Sequence, residues 1–303
     1  MPNTLAPHGA VSLDIIAQEI IFALRADLAI YRGLPKKFSE VSLRLGETLN
    51  AKVPAPRVAK RKKATAAYEN TAVSATETTI TLDDEIYDRM ELLGTDLHAS
   101  AIDLRELYAI PSAQAMGEGI LSHAEDHLVE GALVGNTTAN FNPANFTHTD
   151  LFGIDSEMNL AKVAKGGRFI AMSEEYALPL RMERVNNGLN ENIDANGTYV
   201  NGGLPERIGN FRVHVTNAFS EPRLFAGNSL SLGVVTSVPF VPPAEDAPGV
   251  IYRTVNDPET GITLQFRQQW VTEPTEQYNI VCRVYVGHKV PAPETLFYKK
   301  AAA

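Results

Sequence analysis

Two stretches decide how this chain is read: Gly46-Glu47-Thr48-Leu49-Asn50-Ala51-Lys52-Val53-Pro54 and its answer, Thr76-Glu77-Thr78-Thr79-Ile80-Thr81-Leu82. The first alternates polar and apolar residues, as a half-buried strand does, and Pro54 and Pro56 stop it. The second is a threonine-rich strand. Between them runs a polar tip in which Arg57, Lys60, Arg61, Lys62 and Lys63 have no acid among them. The pattern predicts an extended hairpin over residues 46–84. Neither strand is apolar enough to build a core with the other, and an isolated hairpin is marginal in water. It is therefore expected to lie on something large, such as a neighbouring subunit.

The flanking segments are helical. On the N-terminal side, Leu13, Ile16, Ile20, Ala23, Leu24 and Leu28 predict a helix over residues 12–30, with Ser12 as N-cap and Gly33 and Pro35 ending it. It must dock elsewhere in the fold or on another subunit. On the C-terminal side a short helix is expected near 96–107, then a long one over 112–134. Ala113, Met116, Ile120, Ala124, Leu128 and Ala132 recur along the long helix at helical spacing, over about 34 Å. Gly117 and Gly119 weaken it locally or permit close packing.

From about Asp150 the pattern becomes a compact α/β unit. A helix near 155–164 ends at Gly166, read as a left-handed cap. The strand 168–172 follows, and then a helix opened by Ser173-Glu174-Glu175. An Asn- and Gly-rich loop spans 186–203, and strands follow at 211–215 and 230–238. Prolines 239, 242, 243 and 248 mark an exit. Two β segments, 262–271 and 277–290, come after the turn Asp257-Pro258-Glu259-Thr260-Gly261.

Composition bounds the function. A chain of 303 residues with 44% hydrophobic content buries a real core, and a net charge of −9 argues against a freely soluble duplex-DNA binder. The single cysteine, Cys282, excludes an internal disulfide and is read as a buried apolar filler. No apolar run reaches the roughly 20 residues of a membrane span, and no secretion signal is apparent, so folding in a cytoplasm is expected.

Candidate chemistry is sparse. His123 and His127 share a helix face and could ligate zinc, but the zinc-protease motif needs Glu directly after the first His, and Ala124 stands there. Glu125 points off that face. A partly solvated polar stripe is the reading adopted. His148-Thr149-Asp150 lacks a nucleophile elbow, which leaves a loop or capping role for Asp150. Lys165-Gly166-Gly167-Arg168 lacks phosphate-loop spacing. The basic tip 57–63 fits nucleic-acid binding, a solvated loop, or contact with an acidic surface on a neighbour. The last is preferred, since no aromatic residue is interleaved before Tyr68. No catalytic residue, cofactor or metal is expected.

The ordered series resembles the major capsid proteins of tailed double-stranded DNA phages, the HK97-like family. Residues 46–54 look like the ascending strand of that family's extended loop, and Thr79-Ile80-Thr81-Leu82-Asp83 like its return. The helix 112–134 sits where the spine helix lies. The stretch from Gly166 to Glu175 is similar to the opening of the axial domain, and Ile208–Asn217 to its glycine turn and strand. Gly261-Ile262-Thr263-Leu264 and Tyr285-Val286-Gly287 fall where the closing peripheral strands and their glycine lie.

The resemblance implies an α+β fold in five parts. They are an N-terminal arm (1–45), an extended loop (46–84), a peripheral domain with the spine helix (85–150), an axial α/β domain (151–246), and return strands with a C-terminal strand (247–303). It implies a self-assembling icosahedral shell subunit of the virion, not an enzyme, assembled in a host bacterial cytoplasm. Subunits would form pentamers and hexamers and enclose packaged DNA without sequence-specific binding. Portal, decoration and separate scaffolding proteins are the implied partners, and no membrane is involved. Expected contacts with neighbours are Arg57, Lys60, Arg61, Lys62 and Lys63 on the loop, Leu13, Ile16, Ile20 and Leu24 on the arm, and Asn187, Asn190, Asn192 and Asn196 on the axial loop. The alternatives are a bacterial nanocompartment (encapsulin-like) shell protein and, from a different class, a metal-dependent hydrolase built on His123 and His127.

Overall fold

The computed structural model describes residues 8–28, 31, 36–37, 43–54, 75–93, 105–134, 136–186, 204–243, 249–271 and 277–301. Helix α1 (His8–Asp27) starts four residues before Ser12, so Ser12 is inside the helix and not its cap. Its apolar face finds a partner in its own chain. Leu13, Ile16, Ile20 and Leu24 are at most 2% exposed, in a core shared with Ala113, Met116, Ile120, Leu264 and Phe266. The expectation that these four contact a neighbour is thereby corrected. Each buried side chain of this size contributes about 1.5–3 kcal/mol, enough to hold the helix against the body. Arg25, in the last turn, donates from Nε to Asp257 Oδ1 at 2.7 Å. Asp257 also accepts from the Thr260 amide, closing the turn read at 257–261, where Gly261 has φ +66°.

Helix α2 (Ile110–Val134) is the spine. All six residues of its predicted stripe are buried, but they serve two cores. Ala113, Met116 and Ile120 pack in the core that holds α1, whereas Ala124, Leu128 and Ala132 pack with Phe225, Leu232, Val290 and Leu296. Gly119 lies against Ile86, where a Cβ would come within 2.9 Å of its side chain.

The strands are β1 (Lys36–Lys37), β2 (Thr48–Pro54), β3 (Ala75–Thr81), β4 (Asp84–Leu93), β5 (Asn136–Phe141), β6 (Phe169–Met172), β7 (Arg207–Ile208), β8 (Phe211–Val215), β9 (Arg223–Gly227), β10 (Gly233–Ser237), β11 (Val250–Asn256), β12 (Thr263–Val271), β13 (Gln277–Lys289) and β14 (Phe297–Ala301). The first sheet runs β1-β10-β13-β12-β11, and β4 also pairs with β13. In β13, Ile280, Cys282, Val284 and Val286 are fully buried at period two, which places Cys282 where an apolar filler belongs. Burial also pushes its thiol pKa up, with Asp88 adding to the effect. The second sheet runs β5-β14-β9-β6-β8-β7. The strand expected at 230–238 thus leaves the α/β unit: β10 pairs antiparallel with β13, Val235 opposite Gly287.

Helix α3 (His148–Leu160) begins well before residue 155 because Thr147 and Asp150 form a capping box there. Its C-terminus is closed by Lys162, not Gly166. The Val163 amide donates to Met158 O at 2.9 Å and the Lys162 amide to Asn159 O at 3.0 Å, a Schellman arrangement with Lys162 at φ +58°. Only glycine adopts that geometry without a Cβ penalty. Lys162→Gly is therefore expected to stabilise the fold by about 0.5–1 kcal/mol, read as a raised urea midpoint with unchanged slope.

Helix α4 (Glu174–Asn186) has the two acids expected in its first turn. Ser173 opens it through its carbonyl, which accepts from the Tyr176 amide at 3.1 Å, while its hydroxyl has no partner. Among the described residues no helix is long and apolar enough to cross a membrane.

Candidate functional site

Among the described residues, β2 and β3 pair only with each other, from Thr48 opposite Thr81 to Pro54 opposite Ala75. Few apolar contacts hold the hairpin along its length. Asn50 accepts from Thr79 at 3.0 Å, and Lys52 and Glu77 pair at 3.1 Å with both side chains more than half exposed. Such an exposed pair contributes little. The root is anchored instead. Gly46 donates to Leu82 O at 2.7 Å, and Leu82 to Glu47 O at 3.0 Å. Ile80 and Leu82 are buried with Val235 beside Leu43, Leu49 and Tyr285. There the backbone of β3 crosses β13 so closely that a Cβ on Gly287 would stand 2.0 Å from Thr81 O. The basic tip with Arg57, Lys60, Arg61, Lys62 and Lys63 lies outside the described residues, as do Asn187, Asn190, Asn192 and Asn196.

Immediately beyond the root, Asp83 meets the histidines of the spine. His123 Nε2 is 3.2 Å from Asp83 Oδ1, and His127 Nε2 is 3.3 Å from Asp83 Oδ2. A third histidine joins from β13: His288 Nδ1 is 2.6 Å from His123 Nδ1, and the Tyr31 hydroxyl is 2.6 Å from His288 Nε2. Burial, with repulsion from His123 and His127, holds His288 well below the ordinary histidine range. Burial also lowers His123, against the opposing pull of Asp83. Both imidazoles are therefore neutral near pH 7. The partly solvated stripe expected here is one side of a node that runs inward from Asp83 and His127 to the buried His123, and Asp83, His288 and Tyr31 are its unforeseen members.

The remaining candidates are structural. Glu125, the acid a hydrolase would need beside its histidines, is 1% exposed and occupied elsewhere. It accepts from Arg223 Nη1 at 2.7 Å and from the Ser220 amide at 3.0 Å. His148 binds Glu183 through Nδ1 at 2.9 Å, and Asp150 closes the capping box of α3. Arg168 has a fully buried side chain that spends its guanidinium on Asp155 and on the carbonyls of Val163 and Ala164, leaving none for a phosphate.

No family model and no curated protein sequence matches the chain. Solved structures do. The chain is similar to the capsid of the cyanophage P-SCSP1u, with a TM-score of 0.57 over 90% of this chain and 88% of that one, at 11% identity. The chain has the HK97-like capsid fold. It is also similar to the capsid of Ralstonia phage GP4, with a TM-score of 0.55, 10% identity, and 90% and 88% of the two chains covered. A virus-like particle from Pyrococcus furiosus matches at a TM-score of 0.55 and 9% identity over 95% of this chain and 98% of its own.

Proposed function

We propose that this chain is the major capsid protein of a tailed double-stranded DNA phage, a subunit that closes into an icosahedral shell around the genome. The self-paired hairpin carries the reading. It is rooted in the body by a few apolar residues and its strands find no other strand to pair with among the described residues. A heterologous contact repeated around a closed ring gives such a hairpin a surface to lie on. Apolar residues left on the outside support the same reading: Phe22 on α1, Phe152 and Leu160 on α3, and Leu178 and Met182 on α4 are all more than half exposed.

In this reading residues 46–84 form the extended loop, 85–150 the peripheral domain with its spine, and 151–246 the axial domain, whose sheet takes β5 from the 85–150 segment and β14 from the 247–303 segment and gives up β10 to the other sheet. The net charge of −9 suits a wall that encloses DNA without gripping it. Portal, scaffolding and decoration proteins complete the particle in the host cytoplasm, and the shell subunit itself performs no catalysis.

Negative-stain imaging of the concentrated, purified chain is expected to show closed particles. A monomer that never associates would refute the proposal, and particles filled with a protein cargo would assign it to a nanocompartment. Reversing the tip charges with Lys60→Glu, Arg61→Glu, Lys62→Glu and Lys63→Glu is expected to leave the subunit folded and cut particle yield by roughly tenfold. Unchanged yield at ordinary salt would remove the tip from the assembly contact.

A further inference from the structure

We propose that Asp83, His123 and His127 form a binding site for a single divalent transition-metal ion of the zinc type, which ties the root of the hairpin to the spine helix. The three offer one ligand atom each, all within 4.8 Å of one another. In a tetrahedral zinc site with bonds of about 2.0–2.1 Å, neighbouring ligand atoms stand about 3.3–3.4 Å apart. The separations are 3.2 Å from Asp83 Oδ1 to His123 Nε2 and 3.3 Å from Asp83 Oδ2 to His127 Nε2, each close to that spacing but made by different carboxylate oxygens. Asp84 Oδ2, 3.6 Å from His123 Nε2 and well exposed, is a further carboxylate at the edge of the cluster, and water would complete the coordination.

A second observation, independent of those separations, is the relay behind His123. A metal on Nε2 requires the proton to sit on Nδ1, and that proton needs a buried acceptor. His123 Nδ1 lies 2.6 Å from His288 Nδ1, which accepts it. His288 Nε2–H then donates to the Tyr31 oxygen at 2.6 Å, and the Tyr31 hydroxyl donates to the Ile120 carbonyl at 3.5 Å. Every donor in this order has an acceptor; the reverse order, from the Tyr31 hydroxyl through His288 to His123 and from His123 Nε2–H to Asp83, is satisfied as well, and a metal on Nε2 would select the first. On the other side, His127 Nδ1 faces Glu130 Oε2 at 3.5 Å, a carboxylate that orients the second imidazole in the same way.

The placement gives the ion a mechanical role. Asp83 lies between the end of β3 at Thr81 and the start of β4 at Asp84, where the chain turns out of the hairpin. A metal bond there fixes the direction in which the hairpin leaves the body. Glu125 is turned away and held by Arg223, so it does not serve as a base here, and the role assigned to the ion is structural.

The test uses the untagged full-length chain, stripped with chelator and titrated with zinc chloride by calorimetry. Cobalt substitution reports the geometry through its visible spectrum. The expected result is one ion per chain, a tetrahedral cobalt spectrum, and a raised thermal midpoint. Binding should fall at least tenfold in His127→Ala and in Asp83→Asn, both partly exposed positions whose circular dichroism checks the fold, and persist in His148→Ala. Absence of stoichiometric binding, or affinity unchanged in both His127→Ala and Asp83→Asn, would overturn the site.

Discussion

Arg168→Met is expected to lower the unfolding free energy by about 3–5 kcal/mol, the range for removing one partner of a buried ion pair. The guanidinium is fully buried and is the hub of the turn that carries the chain from α3 into β6. Nε donates to Ala164 O at 3.1 Å, Nη2 to Val163 O, and Nη1 to Asp155. Methionine fills much of the same volume but leaves the Asp155 carboxylate and two carbonyls without that donor. Asn210 Nδ2 still donates to Asp155 at 2.9 Å, which offsets only part of the loss. Arg168→Lys keeps the charge and loses the fork, so it should recover only a fraction. Urea unfolding of the unassembled subunit measures both. A loss below about 1 kcal/mol in the methionine variant would mean that the turn does not depend on this residue.

Gly287→Ala is the second large effect, and it reaches assembly. The new Cβ would stand 2.0 Å from Thr81 O, 2.8 Å from Thr81 C and 3.2 Å from Leu82 Cα. All three are backbone atoms, so no rotamer change relieves the clash. Either β13 or the hairpin root must move, at a cost of about 1–3 kcal/mol or more. The ladder of β13 with β4, β10 and β12 is the stiffer side, which makes the hairpin the part that shifts. The expected outcome is a subunit with native circular dichroism, a lowered urea midpoint and a sharply reduced yield of closed particles. Full particle yield would show that hairpin direction is not set at this crossing.

What the sequence disclosed followed from local periodicity. The two strands of the hairpin, the spine stripe from Ala113 to Ala132 and the β segment that holds Cys282 were each read from local sequence, and each is present in the fold. Strand β4 escaped because Asp84, Glu85, Asp88, Arg89 and Glu91 crowd it, and Asp88 interrupts the inward set of Ile86, Met90 and Leu92. Lys162 escaped because a left-handed lysine carries no sequence mark, while the nearby Gly166-Gly167 pair advertises a cap that α3 does not use. The docking of α1 on its own body was not decidable from an amphipathic pattern, which gives a buried face without naming what covers it. The histidine node was half legible. His123 and His127 are one helical turn apart, but His288 lies 165 residues from His123, and no spacing rule spans that distance.

Strand β14 bears on when a subunit becomes competent. It sits between β5 and β9, parallel to the first and antiparallel to the second, so the sheet around it draws on residues 136–141, 223–227 and 297–301. Until residues 297–301 have left the ribosome, β5 and β9 have a gap between them and two unpaired edges facing it. Contacts of such long sequence separation form late. A nascent chain therefore cannot complete the α/β unit until residues 297–301 have been made, long after β5 and β9.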